Sequence, residues 1–472
     1  MLKKLLDKKN ILIIAFLLFI AIISEVLSIK TLGIKDGTTF TVSLLSTILI
    51  LFIGKNNIKK AIYLFIISMP ILVTARKGFY LDFVILKLNF ESIIILYLFI
   101  IHYKEIKANI QSRIQNNKSV RYFLYLLFIF TLGALISSIF SKDIFETLRL
   151  TITSVLVPIL LVLIIISKFD RRDKKALVYS FAISLNLSCL YGVMQILGIG
   201  FNISAIKEAR ESLTFGYHNG NIFVNIALMI FPLLLNELLY EKNKLIEKAF
   251  LMLSIMLQVI SIFLTFSRGA WLGIAISCAL ILISKKYKYI FIAATILGLI
   301  SLPYVLPKIL GRGDTSLNFL QITSNTARVL SIITSKEVIK NNLLGVGFGN
   351  FNNYYRENVA DAYLSINAEV RKYMVAPLYS MEHAHNFFLN IGVEIGVISL
   401  IAIILIFIDR IKECIKDYSF NRGIFISIIL FVFIGLTTGI ELNHKGVITN
   451  TYILWILFSM LSLPIKNSVE ER

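Results

Sequence analysis

Residues 383–396 read His383-Ala384-His385-Asn386-Phe387-Phe388-Leu389-Asn390-Ile391-Gly392-Val393-Glu394-Ile395-Gly396. Histidine ordinarily titrates near neutral pH, which suits it to take a proton from a hydroxyl. His385, with Asn386 beside it at a helix start, reads either as a structural donor or cap or as a general base whose ring or substrate Asn386 orients. If the apolar run from 386 is one helix, Asn386, Asn390 and Glu394 fall at i, i+4 and i+8 on a single face. An ionisable group at mid-bilayer costs roughly 2.5–3.5 kcal/mol and marks a functional position by default. Gly392 and Gly396 form a small-xxx-small pair onto which a neighbouring helix can close. Glu382, His383 and His385 could approach a zinc ion, but no fourth ligand stands at a recognisable spacing. The sequence also holds no Asp-x-Asp pair to hold a divalent cation, so the chemistry is expected to run without a metal.

Two arginines join the histidines. Arg268, in Thr265-Phe266-Ser267-Arg268-Gly269-Ala270-Trp271, is wedged between two apolar stretches. It reads either as an interfacial arginine snorkelling beside Trp271 or as a phosphate clamp, since the guanidinium fork matches two phosphate oxygens. Arg328 allows the same pair of readings, solvated charge or clamp. Gly345, Gly347 and Gly349 alternate in Gly345-Val346-Gly347-Phe348-Gly349-Asn350-Phe351. That spacing calls for a tight turn with exposed backbone N–H groups. It is not the dinucleotide fingerprint, whose third glycine and βαβ setting are missing. The turn either folds its loop back to the membrane or helps close it over a headgroup. Tyr217-His218-Asn219-Gly220-Asn221 is a further polar group.

The elements that must position these residues are apolar helices. The chain has 472 residues, 57% of them hydrophobic, with a mean hydropathy of +0.80. Segments of about 20 apolar residues span a bilayer. Fourteen candidates occur, at 11–29, 38–53, 61–75, 83–103, 122–140, 151–167, 176–198, 219–239, 249–266, 269–284, 289–305, 386–408, 423–440 and 451–465. Four are short and 83–103 carries Lys87 and Glu91, so the expectation is an all-α polytopic membrane protein with 12–14 transmembrane helices. With the N-terminus cytoplasmic, inner loops and tails carry 29 Lys and Arg against 10 in the short outer loops. That bias sets the orientation, with both termini cytoplasmic. It also accounts for most of the +20 net charge without nucleic acid, leaving anionic lipid as the expected surface contact. Three cysteines, Cys189, Cys278 and Cys414, give no disulfide or metal spacing.

The chain divides into N-terminal membrane helices (1–305), a long extracytoplasmic loop (306–384) and C-terminal membrane helices (385–472), one membrane domain overall. Long loops in compact proteins are usually functional. Within this one the spacing predicts a helix over 325–342, N-capped by Asn325 or Thr326, with Val329, Ile332, Ile333 and Ile339 at helical intervals. The inner loops are too short for a catalytic domain, so chemistry belongs in the membrane or outside it.

The order Thr-x-Ser-Arg-Gly-Ala-Trp-x-Gly from Thr265, Arg328, Leu-Leu-Gly-Val-Gly-x-Gly-Asn-Phe from Leu343, then His385-Asn386 and Gly396 resembles the O-antigen ligase and polymerase family. The resemblance covers roughly residues 170–465, and it departs from the family pattern only at Ser399, where Gly, Thr or Tyr is usual. It implies a membrane glycosyltransferase acting on undecaprenyl-pyrophosphate-linked glycan, with His385 essential and Arg268 and Arg328 on the lipid pyrophosphate. Asn386, Ser267, His383, Glu394, Gly345, Gly347 and Gly349 would support them. The acceptor is then a glycan, lipid or protein, and no cofactor is expected beyond the lipid-linked substrate. The Ile-, Lys- and Asn-rich composition favours a polymerase of capsule or exopolysaccharide over a ligase. A lipid-linked glycan flippase or polysaccharide transporter is the alternative, set against it by the absence of an internal repeat and by polar residues gathered on one side.

Overall fold

The structure, a computed structural model, describes residues 37–75, 81–82, 87–200, 202–283, 286–290, 292–293, 319–321, 323–437, 441–443 and 447–464. The expected span 11–29 and most of 289–305 lie outside these residues, as does the start of the long loop. A two-residue antiparallel rung, Leu81–Asp82 against Lys87–Leu88, precedes a fold that is otherwise helical among the described residues. In chain order the helices are α1 (Gly37–Gly54), α2 (Ile58–Ala75), α3 (Phe90–Ile101), α4 (Tyr103–Asn116), α5 (Lys118–Ile139) and α6 (Ile144–Thr151). A π turn, Ile152–Leu156, joins α6 to α7 (Val157–Lys168), followed by α8 (Lys174–Ile199), α9 (Ile203–Glu208), α10 (Gly220–Tyr240), α11 (Leu245–Leu264) and α12 (Arg268–Leu282). The long loop supplies α13 (Thr323–Asn341), α14 (Phe351–Leu364) and α15 (Ala368–Arg371). Then come α16 (Phe387–Glu394), α17 (Val397–Lys416), α18 (Tyr418–Thr437) and α19 (Thr449–Met460).

Hydrocarbon offers the backbone no hydrogen-bond partner, so the chain crosses it as helix. Among the described residues, six helical stretches are long and apolar enough to do so: Lys118–Ile139, Ile144–Lys168, Arg171–Ile199, Gly220–Tyr240, Leu245–Leu264 and Tyr418–Leu436. Thr41–Gly54, Phe90–Ile101 and Arg268–Leu282 are shorter apolar helices. The protein is an all-α polytopic membrane protein, as its hydropathy implies. Asparagine caps set several starts: Asn117 accepts from the N–H groups of Ser119 and Val120, and Asn219 from that of Ile222. α19 is buried at every residue and forms the central post of the bundle. Phe407 links it to α16 and α18 through ring contacts to Phe458 at 5.1 Å, Phe387 at 6.2 Å and Phe431 at 5.7 Å.

Three expectations change. The segment 83–103 does not run as one helix, because α3 begins only at Phe90, where Asn89 accepts from the Ser92 N–H at 2.8 Å. The segment 386–408 is broken into α16 and α17 at Gly396, whose φ of 91° suits glycine alone. A Cβ there would stand 2.5 Å from the Leu344 carbonyl carbon. In the loop helix the capping expectation is three or four residues late, since α13 starts at Thr323. Its buried stripe is also rotated: Ala327, Leu330, Ser331, Thr334, Ser335 and Val338 are buried, whereas Val329, Ile332, Ile333 and Ile339 are half-exposed. Hydroxyls fit inside because they bond to backbone, as Ser335 Oγ does to the Ser331 carbonyl at 2.6 Å.

Candidate active site

The polar residues singled out above lie at one end of the bundle. α18 begins beside the end of α10, with the Arg422 guanidinium 3.7 Å from the Tyr240 ring centroid, and runs back along α10. At its other end, a Cβ on Gly435 would meet Phe387 Cβ at 3.1 Å, which places the start of α16 there. The starts of α10 and α12 are neighbours, since a Cβ on Gly220 would lie 4.0 Å from Thr265 Cγ2. α10, α12 and α16 therefore all begin at the loop-bearing end. Each is preceded by a residue other than glycine in left-handed backbone: Phe215 (φ 52°), Phe266 (φ 54°) and His385 (φ 49°). These are the only such residues among those described. Such strain costs on the order of 1–3 kcal/mol, persists only when surroundings impose it and gathers at functional sites.

His385 opens α16. Asn386 is its N-cap, accepting from the N–H groups of Phe388 and Leu389, both at 3.1 Å. The asparagine thus orients the helix start that carries His385. Asn390 Oδ1 accepts from the Ala384 N–H at 3.1 Å, and its amide donates to Glu394 Oε2 at 2.9 Å. The segment holding both histidines is tied to the interior of its own helix. The expected one-face alignment holds for Asn390 and Glu394, while Asn386 turns back to cap.

The glycine turn does not present open N–H groups. Those of Val346 and Gly347 donate to the carbonyls of Val393 and Glu394 at 2.9 and 3.0 Å, and that of Gly349 donates to Glu394 Oε1 at 3.0 Å. Gly345, Gly347 and Gly349 have φ of 88°, 93° and 83°, and a Cβ on Gly345 would stand 2.6 Å from the Gly396 nitrogen. The turn clasps the break between α16 and α17, and Glu394 is part of that clasp. Asn350 extends it by donating to Ser141 Oγ at 2.9 Å and Thr147 Oγ1 at 3.1 Å. Ser399 packs onto α5, its Oγ donating to the Phe130 carbonyl at 3.1 Å.

Ser267 and Arg268 begin α12 and are half-buried; the Ser267 side chain makes no capping bond. Arg328 lies on the exposed side of α13. One turn further along, Ser331 Oγ lies 3.5 Å from the His383 carbonyl. Ala327, Leu330 and Ala384 share one apolar cluster, so α13 runs beside the histidine segment. Tyr355 belongs to that cluster; burial pushes its hydroxyl up to about 12, which removes it as an acid or base near neutral pH.

One group escapes a reading of the sequence. Glu441, between α18 and α19, places Oε1 2.5 Å from His383 Nδ1. The His383 and His385 ring centroids are 4.3 Å apart and tilted by 60°. An acid between two apolar spans was visible, but no spacing links it to a histidine so far back in the chain. Among the described residues no three His, Cys, Asp or Glu side chains converge as metal ligands.

Residues 251–408 match the family described as O-Antigen ligase. The match takes in Arg268, Arg328, the glycine turn, His385-Asn386, Gly396 and Ser399. It supports the O-antigen ligase and polymerase family, in agreement with the resemblance carried by those residues. No curated protein matches the chain.

Proposed function

We propose that this protein, an O-antigen ligase/polymerase-type membrane enzyme by its family match, transfers glycan from an undecaprenyl-pyrophosphate-linked donor to an acceptor hydroxyl at the outer face of the cytoplasmic membrane. Polymerisation of a surface polysaccharide is favoured over ligation to a finished acceptor. The observation that carries the reading is the strained, tightly held His385 at the end of the bundle where three helices begin. Helix N-termini favour anions, and a diphosphate is the most anionic part of such a donor.

His385 removes the acceptor proton, and the acceptor oxygen attacks the anomeric carbon. The bond from that carbon to the pyrophosphate oxygen breaks with its electron pair, and configuration inverts. Arg268 and Arg328 neutralise the departing diphosphate, a task suited to bidentate guanidinium groups. Asn386 holds the geometry.

The test uses full-length protein in nanodiscs with lipid-linked oligosaccharide extracted from host membranes. New glycosidic bonds are expected from the wild type, as a ladder of repeat lengths for a polymerase or a single adduct for a ligase. His385→Ala should abolish them. Movement of the lipid between leaflets without bond formation would instead identify a flippase.

A further inference from the structure

The segment after α18 brings a carboxylate to the histidines. The side chains of His383 and Glu441 are 14% and 11% exposed, shielded from solvent but still within its reach. Their 2.5 Å approach sets a ring nitrogen against a carboxylate oxygen, off the line of an aligned hydrogen bond. A bare imidazole nitrogen and a carboxylate oxygen repel at that separation, so Nδ1 of His383 carries a proton. In the neutral ring Nε2 is then an acceptor. Both partners are held from outside. Ala384 is fixed by Asn390. Next to Glu441, the Leu442 carbonyl accepts from Thr451 Oγ1 at 2.7 Å, and Asn443 donates to Ser154 Oγ, in the π turn, at 2.8 Å. Such turns are frequent at functional sites.

We propose that Glu441 and His383 are positioning residues that form a proton relay behind His385. This rests on the reading of His385 as the base. The acceptor O–H proton passes to His385 and on to Nε2 of His383, while Glu441 stays ionised and holds the Nδ1 proton in place. The new bond joins the acceptor oxygen to the anomeric carbon, the diphosphate leaves with the electron pair, and the stored proton returns to water. Among the described residues, the remaining charged groups on neighbouring elements are Glu394 of α16, whose charge interacts with that of Glu441, Arg328 of α13 and the exposed Glu382. The exposed Lys336, Glu337 and Lys340 of α13 and Arg356 and Glu357 of α14 lie further out.

The relay is tested by ¹⁵N NMR of full-length protein labelled at its five histidines, without substrate, the His383 signals being assigned by His383→Gln. A neutral His383 ring protonated at Nδ1 is expected, turning to the Nε2–H form in Glu441→Ala. A wild-type ring protonated at Nε2 would overturn the proposal. With the host lipid-linked oligosaccharide, Glu441→Gln and His383→Gln should each lower kcat about 10-fold or more and leave KM unchanged. Unchanged kcat in either variant would also overturn it. Nδ1 protonation in a wild-type protein that makes no glycosidic bond would instead overturn the function beneath the relay.

Discussion

The two ends of the bundle treat charge differently. At the end opposite the loop, Arg410 is wholly buried, and its guanidinium is enclosed by Asp409 at 2.5 Å, Ser462 at 2.8 Å, Ser119 at 3.2 Å and the Phe123 ring at 4.2 Å. Lys59 bonds Asp173 at 2.5 Å, and Arg171 bonds Asp417 at 2.7 Å. At the loop-bearing end, His383 and Glu441 make an equally short contact, less exposed than the Lys59 and Arg171 pairs, and a second imidazole stands beside them. A buried charge surrounded on every side locks helices together. An imidazole, unlike an ammonium or a guanidinium, can exchange protons near neutral pH. The contact distances are alike, and what separates the two ends is the kind of basic group that meets the carboxylate.

Substitutions at the two ends should therefore fail in different ways. His385→Ala removes the proposed base and should lower the proposed glycan transfer by about 10²–10⁴-fold, with the thermal midpoint in detergent unchanged. A transfer rate near wild type would erase the distinction between the ends. Arg410→Met should do the reverse. It strands Asp409 and costs about 3–5 kcal/mol of stability, read by thermal unfolding, while the rate per folded molecule stays near that of the wild type. Gly396→Ala acts between the two, forcing a strained φ and a Cβ against Leu344 at a cost of about 1–3 kcal/mol. Proteolysis should then cut residues 342–386 faster in intact membranes, and unaltered cleavage would mean that the clasp is not what holds the loop. Arg268→Lys should have the smallest effect, about 1.5 kcal/mol or roughly tenfold weaker binding of lipid pyrophosphate, because lysine keeps the charge and loses the fork. Affinity equal to wild type would return Arg268 to the interfacial reading.

The membrane helices were legible because hydropathy alone decides them: α5, α8, α10, α11 and α12 begin and end within a few residues of the segments read from sequence. The break at Gly396 was not, because the Gly392 and Gly396 pair in an apolar helix reads as a packing site. Only the approach of Leu344, distant in sequence, turns it into a hinge. The three alternating glycines announced a turn correctly. The N–H groups of Gly347 and Gly349 looked available for a ligand only because Glu394, whose carbonyl and carboxylate accept them, lies far along the chain. The helix start at His385 and Asn386 was legible from residue type and order, whereas the approach of Glu441 to His383 depends on two loops meeting in space.

The clasp at Gly396 also sets an order of assembly. Its donors, residues 346–349, leave the ribosome well before its acceptors, residues 393 and 394. A nascent chain that has delivered the whole loop still lacks the partners that pin it, and Glu441 arrives later again. The enclosure around the histidines is thus completed only late in biosynthesis. A chain cut short before residue 393 would insert its earlier helices and remain without that enclosure.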